Sequence, residues 1–178
     1  MKTIRLKNYL LLSSQELVKG MPTETSGLVD WLVKQNLHGN ESRLRTRFIK
    51  FLVERAEEIN KEQTKLLEQY SDKNEKGEVL FVGKDGKDTT KGEIGGRYKI
   101  TPENIEKYNK DYTDLLNEYL TIDLTPSMRE MTEVIKKILL NATDGFKGKE
   151  AIYYDEQCSS FENEIEFIEE VKTEEVKK

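Results

Sequence analysis

The sequence predicts a mostly α fold with a minor β contribution: a long antiparallel helix pair with a β-hairpin insertion, short strands and a C-terminal amphipathic helix. Three observations predict it. Apolar residues recur at helical spacing over about 41–70, and again over about 102–119 and 126–140. Where that period is lost, in residues 71–100, six glycines collect. Of the 178 residues 35% are hydrophobic and 35% are charged, against about 25% charged in an ordinary globular domain. Such a balance suits amphipathic helices better than a thickly covered α/β sheet. Leu, Ile, Val and Phe still supply 46 residues, above the roughly 20% level at which chains fail to fold.

The elements follow in order. Residues 2–8 alternate around Ile4 and Leu6 and form a short strand. Ser13 and Glu16 make a capping box, with Leu12 and Leu17 as its staple, for a brief helix that Gly20 and Pro22 end. Ser26 caps a second short helix through Leu28, Trp31, Leu32 and Leu37, whose arc Val29 and Val33 widen. The clearest element runs from about Glu41, capped by Asn40, to about Tyr70, along Leu44, Phe48, Leu52, Ala56, Ile59, Leu66 and Tyr70. Ile49, Phe51 and Val53 broaden its first half, so that half meets two neighbours and the second half one. At about 1.5 Å per residue it is about 45 Å long, so it must project or pair with another long helix.

Glu78–Val82 and Arg97–Ile100 pair as a hairpin, with Asp85-Gly86 as a turn signal and a polar tip from Lys84 to Gly96. Thr101-Pro102-Glu103 starts a return helix marked by Ile105, Tyr108, Tyr112, Leu115, Leu116 and Tyr119. Leu120, Ile122 and Leu124 alternate as a strand. Thr125-Pro126 starts another helix, with its stripe at Met128, Met131, Val134, Ile135, Ile138 and Leu139. After breaks at Asp144-Gly145 and Gly148, the last helix spaces Ala151, Tyr154, Cys158, Phe161, Ile165 and Ile168 by 3, 4, 3, 4 and 3, an a/d seam that offers a surface for self-association. Residues 1–148 thus form a helical domain with its β-hairpin at about 78–101, and residues 149–178 an acidic helix and tail in the same domain or as an appendage. That tail holds ten acids and four lysines, or −6; with −5 for the whole chain, residues 1–148 sum to +1.

Bulk properties narrow the function classes. A net charge of −5 and a pI near 5.2 speak against a general affinity for nucleic acid. One cysteine, Cys158, and one histidine, His38, exclude a disulfide framework or zinc ribbon within the chain and point to the cytoplasm. Lys2, Arg5 and Lys7 precede an apolar run, Tyr9–Leu12, too short for a signal peptide, and no stretch approaches the ~18 apolar residues of a membrane span.

Two clusters are candidate contact sites. Arg43, Arg45, Arg47 and Lys50 open the long helix; Arg43, Arg47 and Lys50 share its polar face, where a helix N-terminus already favours anions. Arg45 and Arg55 fall inside the apolar arc, positions usually filled by an arginine that snorkels or pairs with a carboxylate. Tyr108, Tyr112, Tyr119 and Tyr154, with Phe161, Ile165 and Ile168 of the seam, are the candidate protein interface, since tyrosine is enriched where one side of a ring is buried and its hydroxyl finds a partner. A helix contact within the chain would use the same residues. His38 reads as a turn residue and Cys158 as a packed thiol; Gly92–Arg97 lacks the strand–loop–helix setting of a phosphate loop, and Lys84–Asp88 lacks the ligand series of a calcium loop. No catalytic, cofactor-binding or metal-ligating set is predicted.

Leu37-His38-Gly39 with Ser42-Arg43-Leu44-Arg45-Thr46-Arg47-Phe48-Ile49-Lys50, then a charged helix, a hairpin, Leu115-Leu116-Asn117-Glu118 and Ile122-Asp123, resembles a family of small uncharacterised proteins encoded by tailed phages and prophages of Gram-positive bacteria. The likeness covers about residues 1–140 and rests on element order and the Ser-Arg-x-Arg-Thr stretch. It implies a phage origin, the bacterial host cytoplasm or the virion as location, and no activity for any residue. The expected function is non-enzymatic binding of a host or phage protein through an extended helical surface, with self-association through the last helix. Phosphate contact by the basic cluster is the alternative.

Overall fold

The computed structural model describes residues 2–12, 27–92 and 96–166. The fold is mostly α with two small antiparallel sheets. In the first, β1 (Lys2–Lys7) lies between β5 (Tyr119–Asp123) and β6 (Ile165–Glu166). The β1–β5 register runs from Thr3 opposite Asp123 to Lys7 opposite Tyr119, which sets Ile4 directly against Ile122. Both are buried, as the alternation requires, and Leu6 beside them is fully covered. A 3-10 turn, Asn8–Leu10, follows β1. The predicted helix opened by Ser13 and the predicted cap Ser26 lie outside the described residues.

Helix α1 (Leu28–Lys34) ends at an extended Gln35, short of the predicted Leu37. Its N-cap is Gly27, packed so closely on the preceding chain that a Cβ there would lie 2.4 Å from the Leu12 carbonyl carbon. Helix α2 (Gly39–Tyr70) has 32 residues, about 48 Å at 1.5 Å per residue. Asn40 lies inside its first turn rather than capping it, and its amide reaches Glu130 at 3.5 Å. Leu44, Phe48, Leu52 and Ile59 are its buried line.

The two halves of α2 have different neighbours. The first half packs on α1 and on α4 (Pro126–Leu140), with Lys137 paired to Glu41 at 2.7 Å. Along the second half α3 (Pro102–Asn117) returns antiparallel: Gln63 donates to the Tyr108 hydroxyl at 3.2 Å, and near the chain reversal Asn104 donates to the Tyr70 carbonyl at 3.2 Å. Asn8, 0% exposed, ties the sheet to both helices. It donates to the Leu115 carbonyl at 2.8 Å and accepts from Arg55 Nε at 3.3 Å.

The second sheet sits where α2 turns into α3. Strand β2 (Phe81–Val82) pairs with β4 (Arg97–Tyr98), as the sequence predicts, and also with β3 (Asp88–Thr89), which it does not. The extra strand arises because the Asp85-Gly86 turn closes on itself: Gly83 N–H donates to the Lys87 carbonyl, and Gly86 takes φ +79°. Phe81 and Tyr98 pack with their ring centroids 4.7 Å apart and their planes tilted by 43°.

Thr125 caps α4 by accepting from the Met128 N–H at 3.3 Å. Helix α5 (Lys149–Glu162) joins the same core as residues 1–148: Cys158 and Phe161 cluster with Ile4, Phe48, Leu52, Ile135 and Leu139, and Phe161 lies 5.9 Å from Phe48. The predicted seam is corrected here. The helix stops at Glu162, Ile165 stands in β6 at the sheet edge, and Ile168 lies outside the described residues. The helical members of the pattern spend their apolar face on the chain's own sheet and α4. Among the described residues no helix is long and apolar enough to cross a membrane.

Candidate binding cleft

The break between α4 and α5 builds a concavity. Asp144-Gly145 and Gly148 prevent the two helices from running on, and Gly148, at φ +55°, turns the chain into α5. Between these breaks Phe146 folds back onto α5 and stacks on Tyr154 at 4.2 Å and 12°. Its other neighbour is Trp31 of α1, at 6.5 Å and 50°. The Trp31 indole N–H donates to Asp144 at 3.1 Å, which pins the loop to α1, and the Tyr154 hydroxyl donates to the Leu139 carbonyl at 2.7 Å, which pins α5 to α4.

These contacts leave a half-open cleft of about 260 Å³. Trp31, Phe146, Tyr153 and Tyr154 supply its apolar wall; Tyr153 is backed by Tyr9 at 5.3 Å. Asp144 and Glu150 supply negative charge, and Lys34, which has a contact of its own, is the cation in the lining. Neither carboxylate is in an ion pair with a described residue. Burial pushes the Tyr154 hydroxyl pKa up, and Cys158 and Asp144 push it the same way, so the hydroxyl keeps its proton. Burial likewise raises the Cys158 thiol.

The structure separates the residues of the predicted basic cluster. Arg43, Arg47 and Lys50 are exposed on one face of α2 without an ion pair among the described residues. Arg45 does not join them: its guanidinium turns back to donate to the Gln35 carbonyl and to Ser42 Oγ, while its Nε is buried without a partner. Arg55 pairs with Glu58 at 3.1 Å and Glu118 at 3.7 Å.

The predicted tyrosine interface divides too. Tyr112 and Phe161 are in the core and so are covered by the chain itself. Tyr108 is half-buried and stacks on Tyr112 at 5.6 Å and 15°. Tyr119 and Ile165 are exposed at the first sheet, and Tyr154 enters the cleft. His38 is the exposed N-cap of α2. Among the described residues no three His, Cys, Asp or Glu side chains converge as a metal would require.

Sequence reasoning missed Trp31, Asp144, Phe146, Glu150, Tyr153 and Gln157 as one set. They come from α1, a loop and α5, and no period links them; the one signal available was an aromatic residue inside a glycine-rich break. Compared with protein-family models, with curated proteins and with solved structures, the chain matches none.

Proposed function

We propose that the chain is a non-enzymatic protein-binding protein of phage type, either an accessory or structural component or an inhibitor of a host protein. One observation carries this: a half-open cleft walled by the aromatic side chains of Trp31, Phe146, Tyr153 and Tyr154. Aromatic side chains are enriched in interface cores, and a pocket that receives an anchor residue is where binding energy concentrates. The surface belongs to α1, α5 and the loop before α5, so a helical face presents it.

The test is affinity purification from host cells with quantitative mass spectrometry, using the native chain and Tyr153→Ala, which removes part of the cleft wall. A partner held by the native chain and lost by the variant, with the circular dichroism unchanged, supports the reading. A partner retained equally by both, or none for either, overturns it. Late structural genes beside the coding sequence would favour an assembly role, early genes an inhibitory one.

A second reading has its own observation: Arg43, Arg47 and Lys50, exposed on one face of α2, have no ion pair among the described residues. Phosphate contact there predicts oligonucleotide binding that falls steeply with salt. If Arg43→Glu combined with Arg47→Glu binds a 20-mer duplex at low salt as the native chain does, this reading fails.

A further inference from the structure

We infer that the cleft between α1 and α5 receives an arginine side chain of the partner, stacked on the aromatic wall and paired with Glu150 and Asp144. This rests on the protein-binding reading above and names what the partner presents. The volume comes first: about 260 Å³ lies below the ~300–1,000 Å³ of pockets that enclose a whole small molecule, and suits a single inserted side chain.

Charge then selects the side chain. The lining holds two carboxylates and one lysine, and Lys34 already has a contact. Glu150 lies in the first turn of α5, and no described cation pairs with it. An aliphatic occupant would cover that carboxylate without giving it a donor, a desolvation cost with no return. An acidic occupant would add a third negative charge. A cation satisfies both walls at once, because ring faces attract it and carboxylates accept from it.

Shape selects arginine over lysine. The outer surfaces of Phe146 and Tyr154 are set by a near-parallel stack, 12° between planes, with Trp31 inclined at 50° to Phe146. A planar guanidinium lies flat on such a ring while its edge still donates to carboxylates, which a compact ammonium does not do. Asp144 has one oxygen engaged by the Trp31 indole, so the second oxygen and both of Glu150 are the acceptors.

Trp31 is the chain's one tryptophan, and its indole N–H is an NMR reporter inside the cleft. The probes are the Nα-acetyl amides of arginine, lysine, leucine and glutamate, titrated into the full chain. The arginine amide is expected to shift the Trp31 signal saturably, and Glu150→Gln to weaken that binding about five-fold, because the Gln oxygen still accepts but carries no charge. Asp144→Asn keeps an acceptor for the indole and should weaken it less. Equal binding of the lysine, leucine or glutamate amide overturns the inference, as does arginine binding indifferent to Glu150→Gln or no saturable shift at all. A failure here with partner loss in Tyr153→Ala leaves protein binding standing and removes only the occupant. Arginine binding without any partner has the opposite meaning.

Discussion

Asn8 carries more structure than its size suggests. Fully buried, it uses its amide on the Leu115 carbonyl and its oxygen on Arg55, and its backbone N–H donates to the Glu118 carbonyl at 2.9 Å. Asn8→Leu strands a carbonyl and a guanidinium together, so urea unfolding should show a loss of about 2–3 kcal/mol. Gly27 is constrained for another reason. Its φ of −63° suits any residue, but the backbone of Leu11 and Leu12 occupies the space a Cβ needs. Gly27→Ala should therefore lower the melting temperature, whereas Gly145→Ala, with open space around it, should leave packing unchanged. At this scale the sequence was partly legible. Arg45 and Arg55 stood out because they interrupt an apolar arc, but their partners were not: Arg55 found carboxylates and Arg45 a carbonyl, a difference set by where the loop before α2 passes.

Helix α5 shows what periodicity can and cannot decide. The 3-4 spacing correctly marks an apolar face, yet a face is silent on whether its cover comes from the same chain. Here Phe161 meets Phe48, and Cys158 lies in the same cluster. Phe161→Ala should then cost about 3–4 kcal/mol, with an unfolding midpoint independent of protein concentration. A midpoint that rises with concentration would mean that a second copy covers the face instead. Just beyond the helix, Glu164 bridges Lys2 and Arg129, each at 3.0 Å, and holds β6 against β1. The Lys2 hydrogen bond, aided by Arg129 against partial desolvation, keeps its carboxyl below the usual glutamate value. A depressed folded-state pKa gives stability that is complete above the unfolded value of about 4.3 and is lost as pH falls through the folded one. The proton contact between Thr3 and Ile165 should thus persist at neutral pH and fade in acid, and Glu164→Gln should weaken it already at pH 7. Persistence of that contact in the variant would remove Glu164 from this role.

At the scale of the whole molecule, the antiparallel helix pair, the hairpin at its turn and the strand at residues 2–7 were readable because each rests on local pattern: period, Thr-Pro starts, a turn dipeptide. The cleft was not readable, because it exists only where α1, the loop before α5 and α5 itself converge, and Trp31 and Asp144 are 113 residues apart. The tyrosines offered the converse lesson. Composition marked them as contact-forming, and Tyr112 does form contacts, inside the core.

The central position of β1 also governs how the chain can reach this state. Its partners are β5 and β6, so Lys2 waits for Glu166 before the sheet is complete. Closing loops of that length costs entropy before any pairing repays it, and such contacts slow folding. The α2–α3 hairpin, by contrast, can form from neighbouring sequence. Kinetics should divide accordingly: Ile4→Val and Ile122→Val accelerate unfolding with little effect on the folding rate, while Leu115→Ala slows folding. The first of the described strands along the chain is then the last to find its place.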